Sequence, residues 1–428
     1  MYKLAVVSRQ NGARLVRSFR PFTRNMYRQP STLAQGSTAN HYFFSTCGGS
    51  GSCGSNNNQE PKERFPMPDK DKELKLARIQ STITDHYKRG DFSKALHASQ
   101  ELLTQTEDHF GREHPVTASA YNNVGLMQKL LGDFIEARKH YDMAMRIYGR
   151  VVGRDHASYA MTLHNLGALN KSQVHFDTSL KATERLSLVE KALEYLEEAW
   201  AIRTAELGDE HPHTVATRSS YGSTLAIQVL YQHKYVERGA NDKERQQPQY
   251  VSLNPESVTK RGWEAAEQHL REAMETAISN PRGKRIKKGG KGKNKQKTKQ
   301  SSSGGIETLS AAAAAQNLAV FLKARSMTEN PHNQTRMDEA KKIYQEVQKT
   351  RSQLLPKHHP DLYATKYSLA ELLDASGDTE AANTLRQEIL DTYEPGSEDD
   401  ALSHDQMQRV EDEPSGGNRV VVEKTSTS

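Results

Sequence analysis

The sequence predicts an all-α fold, an α-solenoid of about six stacked helical hairpins. Three observations lead to it: residue types recur at a sequence offset of 42, His-Pro and Gly-Asp pairs occur several times along the chain, and only 35% of the chain is hydrophobic. Self-similarity at a period of about 20 to 50 residues is typical of arrays in which each unit buries its apolar face against its neighbours. A compact single-core domain is therefore disfavoured.

Six positions fix the repeat register. Some of these residue types are found again 42 positions later, or 55 positions later after an insertion. Near the C-terminus the offset from the first unit is 245, so that His359, Pro360, Gly377 and Asp378 correspond to His114, Pro115, Gly132 and Asp133. The six positions are Gly111, Gly125, Gly132, Asp133, Ala137 and Ala144.

Each unit contains the signals of two helices. Pro115 suits a first helical turn because its missing N–H would have no intrahelical partner there. Gly132 and Asp133 predict a tight turn and an acidic start to the second helix. Small Ala137 and Ala144 lie on one face of that helix and allow close approach of a neighbour, while Tyr141 fills the space between them.

The stretch "YNNVGLMQKLLGDFIEARKHYDMAMRIY" resembles a tetratricopeptide repeat, and the constant period with Gly-x-x-His-Pro linkers resembles the kinesin-light-chain type. This resemblance covers residues 75–395 and implies stacked hairpins with a concave binding groove. The motor-binding heptads of kinesin light chains are absent upstream of the repeats. The six helix pairs are predicted at 76–107, 116–150, 158–206, 213–280, 306–355 and 361–395.

Two of these pairs are interrupted. Residues 236–260 lengthen the connection inside the fourth pair, and "SMTENPHNQTR" lengthens the one inside the fifth. Residues 281–305 form a Lys-rich insertion, predicted to be disordered because Ile286 is its only large apolar residue and cannot form a core. The acidic and polar residues 396–428 predict a disordered tail, and residues 60–74 predict a linker.

The segment 1–59 has a composition of its own. It contains seven Lys/Arg and no Asp/Glu, which is typical of a mitochondrial transit peptide followed by a Gly/Ser-rich linker. A basic tail without a targeting role is the alternative interpretation. Together with the ten Lys/Arg of residues 281–300, this segment accounts for more than the net charge of +6, so the repeats are acidic overall.

No catalytic constellation, cofactor motif or metal-ligand spacing is recognisable, so the sequence predicts a protein that is not an enzyme and takes no cofactor. Cys47 and Cys53 lie in a Gly/Ser-rich stretch with no common zinc spacing. A histidine that recurs at one repeat position is better explained by turn packing or capping than by catalysis or metal binding. These histidines are His114, His156, His211 and His359.

A polar stripe on the first helices is the candidate binding surface. Asn123, Asn165 and Asn317 share one repeat position, and Lys129, Lys171 and Lys323 follow them at a constant spacing. The resemblance implies that this stripe faces the groove, where Asn can bond an extended peptide backbone and Lys can attract acidic side chains. Solvated helix surface is the alternative. Ser220 and Ser368 replace Asn in two other units.

We therefore expect a monomeric scaffold that binds a protein or peptide, with an acidic segment as one class of ligand, in the mitochondrial matrix or at the inner membrane. Its layout is also similar to that of repeat proteins that maintain a respiratory complex such as complex III. The alternatives are a cytoplasmic cargo adaptor and an RNA-associated or nuclear protein, with peripheral membrane contact also open and no transmembrane segment. Binding to RNA or to a membrane surface would use the basic side chains of the Lys-rich insertion: Lys284, Arg285, Lys287, Lys288, Lys291 and Lys293.

Overall fold

The computed structural model describes residues 70–238, 255–280, 305–328, 333–357 and 359–392, all within the compact unit Thr23–Thr392. These residues form twelve α-helices and no β-strand. The helices are α1 (Lys70–Arg89), α2 (Phe92–Phe110), α3 (Pro115–Leu131), α4 (Phe134–Val151), α5 (Ala157–Phe176), α6 (Ala182–Leu207), α7 (Pro212–Arg238), α8 (Pro255–Ser279), α9 (Leu309–Thr328), α10 (Gln334–Leu354), α11 (Pro360–Ala375) and α12 (Thr379–Thr392).

Consecutive helices pack into six hairpins, α1–α2 through α11–α12, and each hairpin packs on the next. The odd-numbered helices from α3 to α11 also contact one another in sequence and form one layer. The predicted all-α solenoid of six hairpins is therefore confirmed. No helix among the described residues is both long and apolar enough to span a membrane.

Three helix ends lie inside segments that were predicted to be connections between helices. Helix α1 begins at Lys70, inside the predicted linker 60–74. Helix α7 continues to Arg238 and α8 begins at Pro255, so helix enters the predicted insertion 236–260 from both ends. The chain has no Gly or Pro from 223 to 238 to stop α7, whereas Pro255 suits a helix start.

Other predictions fall outside the described residues. These are the leader and linker at 1–59 with Cys47 and Cys53, residues 281–304 of the Lys-rich insertion with its six candidate polyanion-binding side chains, and the tail 396–428.

The Gly-Asp pairs make the turns inside hairpins. Gly132 ends α3 with φ 87°, a left-handed conformation that costs glycine least. Its N–H bonds back to the α3 carbonyls of Gln128 and Lys129, and Asp133 then caps α4, its carboxylate accepting the N–H of Glu136 at 3.3 Å. The tight turn predicted from the sequence is confirmed.

The recurring histidines cap the first helix of their hairpins. Nδ1 of His114 accepts the N–H of Val116 at 3.1 Å. His156, His211 and His359 make the equivalent bond to the residue two positions on, at 3.1, 3.2 and 3.1 Å. Burial lowers the pKa of His114 and His359, which favours the neutral ring that can accept. The capping interpretation of these histidines is confirmed.

The hydrophobic clusters of the described residues fall into two sets. One continuous cluster joins α7 to α12, from Val215 to Ala382. The other described clusters lie in α1 to α6, from Leu76 to Ala199. The junction between the sets, at α6 and α7, is aromatic and polar: Trp200 and Tyr221 lie 6.0 Å apart between ring centroids, and Arg203 Nη1 donates to the His213 carbonyl at 3.0 Å.

Candidate functional site

The predicted asparagines bond between neighbouring odd-numbered helices. The amide nitrogen of Asn123 donates to Gln80 Oε1 at 3.0 Å, that of Asn165 to Asn122 Oδ1 at 3.5 Å, and that of Asn317 to Ser219 Oγ at 2.8 Å. Each bond reaches back to the preceding hairpin. The asparagines therefore tie the layer together, and their contact with a ligand stays a prediction.

The acceptors of these bonds were missed by the sequence reasoning. Gln80, Asn122 and Ser219 occupy one repeat position, the residue directly before the asparagine position. A polar residue recurring on an otherwise buried helix was the available signal. Asn122 is 4% exposed and also donates to Thr162 Oγ1 at 3.0 Å.

Two of the predicted lysines form an enclosed cationic pair, which we call the lysine pair: Lys129 on α3 and Lys171 on α5. Their exposed fractions are 3% and 9%. Lys171 Nζ donates to Ser223 Oγ at 3.1 Å. Within the described part of the chain, neither ammonium has a carboxylate at ion-pair distance.

The electrostatics of the lysine pair follow from this burial. Desolvation, and to a smaller extent the charge of Lys171, lower the pKa of Lys129 to about 8, and desolvation lowers the pKa of Lys171 to about 8. A charged ammonium held away from water without a counter-ion is costly. At neutral pH both groups still carry most of their charge, so the pair is a concentrated positive site.

His164 lies in the same positive region. It is 2% exposed, and burial and the charges of Arg203, Lys129 and Lys171 hold its pKa well below the usual value. Its Nδ1 atom is buried without a hydrogen-bond partner among the described residues. The ring is therefore neutral, and the positive charge rests on the lysines.

Lys323 differs from the other two predicted lysines. Its Nζ lies 2.9 Å from Oε2 of Glu371 on α11, in a partly exposed ion pair. Its charge is therefore compensated inside the molecule, so the six predicted groove residues do not form one uniform ladder. Among the described residues, no group of three or more His, Cys, Asp or Glu side chains is arranged so that it could hold a metal ion.

Family models match part of the chain, from within α1 to the start of α7. One family model of the tetratricopeptide repeat matches residues 83–148 and 128–185, and a second matches residues 184–213. Residues 83–213 therefore carry tetratricopeptide repeats. The matched repeats include α3, α5 and the lysine pair.

A human relative is called "Clustered mitochondria protein homolog". It is 24% identical over 174 residues, which cover 34% of this chain and 13% of the relative. The match therefore spans about an eighth of that protein's length.

Solved structures with similar repeats include kinesin-light-chain-like proteins. A putative kinesin light chain from Podosopora anserina, with nearly identical TPR-like repeats, is 17% identical with a TM-score of 0.36, and a variant of it is 14% identical with a TM-score of 0.38; each covers 65% of this chain and 96% of its own. BtubC (BKLC) from P. vanneervenii is 13% identical with a TM-score of 0.37, covering 83% of this chain and 100% of its own.

Proposed function

We propose that this tetratricopeptide scaffold is a protein-binding adaptor whose odd-numbered helices take an acidic segment of a partner, with the lysine pair as its anchor. The observation that carries the proposal is the absence of a carboxylate at ion-pair distance from Lys129 and Lys171 within the described ranges, although their exposed fractions are only 3% and 9%. A partner's Asp, Glu or terminal carboxylate would supply the missing charge. Rigid stacked helices would reduce the entropy lost on binding.

The three asparagines have a supporting role in this proposal. Each amide keeps acceptor capacity and a second N–H beyond the interhelical bond described above. An extended backbone lying along α3, α5 and α9 could bond these remaining groups without breaking the layer. Lys323 would take part only by exchanging Glu371 for an acid of the ligand.

Selection of peptides from a random twelve-residue display library on the full chain tests the anchor. We expect enrichment of peptides rich in Asp and Glu, and a loss of affinity of at least about tenfold in the double variant Lys129→Met, Lys171→Met, since two charge-assisted bonds are removed. Fluorescence anisotropy of one selected peptide measures the affinity.

The matched control is Lys139→Met, which removes one exposed charge on α4. It should leave the affinity of the peptide unchanged. Enrichment of neutral or basic peptides, or equal binding by the double variant, would refute the anchor.

We also propose a mitochondrial location, with maintenance of a respiratory complex such as complex III as the expected role. The basic, acid-free leader supports the location, and the name of the human relative supports it more weakly because the match is short. Fractionation with N-terminal sequencing of the cellular protein tests it: a mitochondrial chain shortened within residues 1–59 supports the proposal, and an intact cytosolic chain overturns it.

A further inference from the structure

The first and sixth hairpins touch, although they lie at opposite ends of the repeat array. Tyr87, near the end of α1, is 2% exposed and meets the edge of His359, at the start of α11, with 6.4 Å between ring centroids and 76° between planes. A Cβ added to Gly90 would lie 3.6 Å from Cγ of Pro360. In an ordinary solenoid each unit contacts only its neighbours. This contact therefore closes the array on itself.

Charges on both sides extend the contact. The carboxylate of Asp361 and the guanidinium of Arg351 both act on the buried Tyr87 hydroxyl, whose pKa is raised chiefly by burial. The ammonium of Lys88 acts on His359 from the first hairpin. Farther along α11, the Glu371 carboxylate acts on His175 at the end of α5. Helix α11 thus faces the first and third hairpins as well as its own neighbours.

The closing contact is weaker than the contacts between neighbouring hairpins. Tyr87 belongs to an apolar cluster of the first two hairpins, and no hydrophobic cluster of the described residues spans from there to the sixth hairpin. The groups that meet are a phenol, an imidazole, a proline and charged side chains. A small polar interface can open at lower cost than a packed hydrophobic one, since little apolar area is exposed.

The closed array and the lysine pair are linked by the repeat register. Tyr87, Lys129 and Lys171 are spaced at the constant offset of the repeat, so all three occupy one repeat position. With exposed fractions of 3% and 9%, the two ammonium groups are out of reach of a bulky ligand in this closed form. Access to them requires the hairpins around them to separate.

We propose that the contact of Tyr87, Lys88 and Gly90 with His359, Pro360 and Asp361 is a clasp, and that opening the clasp exposes the lysine pair to ligand. The existence of the clasp stands on these contacts alone; only the identity of the ligand rests on the function proposed above. The ligand then binds only molecules whose clasp is open. The apparent affinity is therefore the affinity of the open form multiplied by the fraction of molecules that are open.

Lys88→Glu is the variant that tests the clasp. Lys88 is exposed, so the change should not disturb the fold, and circular dichroism with thermal melting checks this. It puts a carboxylate next in sequence to Tyr87, on which the Asp361 carboxylate already acts, so the two negative charges on the two sides of the clasp repel each other. Lys94→Glu is the matched control: it makes the same charge change at an exposed site on α2.

The measurement is the rate at which sulfo-NHS-acetate acetylates Lys129 and Lys171 in the full chain, read by peptide mass spectrometry relative to exposed Lys139. We expect Lys88→Glu to raise both rates at least about fivefold over the wild type, in proportion to the open population, and Lys94→Glu to leave them unchanged. If a folded Lys88→Glu variant is acetylated at Lys129 and Lys171 at the same rates as the wild type, the clasp is overturned.

A second measurement separates the clasp from the proposed function. Spin labels are attached at Lys94→Cys and Lys357→Cys in a chain that also carries Cys47→Ser and Cys53→Ser. Double electron–electron resonance then measures the distance between the first hairpin and the residues before the sixth. A saturating acidic peptide should lengthen this distance, as should Lys88→Glu. If the variant lengthens the distance and speeds acetylation while no acidic peptide binds, the clasp stands and the proposed ligand fails. If the peptide binds through the lysine pair with no change in distance or acetylation, the clasp fails and the adaptor stands.

Discussion

The lysine pair is unusual at the scale of single residues because it destabilises the fold. The pKa of each lysine is lowered from 10.5 to about 8. Between pH 8 and 10.5 the unfolded chain therefore binds more protons than the folded chain, and stability rises with pH across this window. Below pH 8 the folded protein bears the full cost of two buried charges. This cost is consistent with a ligand-binding role, since other residues would pack there more favourably.

We predict that Lys129→Met and Lys171→Met each stabilise the protein at pH 7, by roughly 1–3 kcal/mol. The gain should shrink above pH 8 and be small by pH 10.5, where the lysines are neutral in the folded state and about half protonated in the unfolded state. Urea unfolding at pH 7, 9 and 10.5 measures it. Because Lys171 acts on Lys129, the double variant should gain less than the sum of the two single variants.

Lys323→Met is the control for this prediction, because it removes one partner of the ion pair with Glu371. It should leave stability unchanged or lower it slightly at pH 7. A loss of stability in Lys129→Met at pH 7 would mean that Lys129 has a compensating partner, and would contradict the destabilising role of the lysine pair.

At the scale of helices, close packing within a hairpin depends on glycine in the first helix. A Cβ on Gly167 of α5 would lie 2.7 Å from Cγ of Leu196 and 3.2 Å from the Ala192 carbonyl on α6. In the second hairpin, a Cβ added to Gly125 would lie 3.0 Å from the Tyr141 ring. The backbones of the two helices could not approach this closely with a larger residue.

We predict that Gly167→Ala destabilises the protein by about 1–3 kcal/mol, because Leu196 and the α6 backbone must move. Gly149→Ala is the matched change: this helical glycine would place its Cβ 3.4 Å from the Tyr159 ring, so the gain in helix propensity should leave stability unchanged or raise it by up to about 1 kcal/mol. Thermal melting of both variants compares them. Equal melting temperatures would show that the α5–α6 contact can relax freely.

The hairpins could be predicted from sequence because their signals are local. Gly132 with Asp133, and His114 with Pro115, each determine a helix end from two adjacent residues, and the constant period repeats them. The end of α7 at Arg238 was missed by three residues because the whole polar stretch 236–260 was interpreted as a connection, although its first residue that stops a helix is Gly239. The pairing of Lys323 with Glu371 could not be foreseen, since it depends on how the fifth and sixth hairpins stack.

At the scale of the whole molecule, the two sets of apolar clusters suggest two cooperative blocks, hairpins 1–3 and hairpins 4–6. The junction between them relies on Arg203 with His213 and Thr217, and on Arg218 over the Trp200 ring at 5.2 Å. The stability of a repeat array is a sum of unit and interface contributions, so a weaker interface divides the array into blocks that unfold separately. The clasp joins the ends without joining the apolar clusters.

Two tyrosines at one repeat position allow this division to be tested. Tyr141 in the first block and Tyr344 in the second each lie one helical turn after an equivalent alanine, Ala137 and Ala340, and both rings are 0% exposed. We predict that Tyr344→Ala, which should cost about 3–5 kcal/mol, removes hydrogen-exchange protection from α7 to α12 in mild denaturant while α1 to α6 stay protected, and that Tyr141→Ala does the reverse. Hydrogen exchange with mass spectrometry resolves the two patterns. Loss of protection over all twelve helices at one denaturant concentration in both variants would mean that the six hairpins unfold as one block, because the polar junction then transmits as much stabilisation as the apolar clusters on either side.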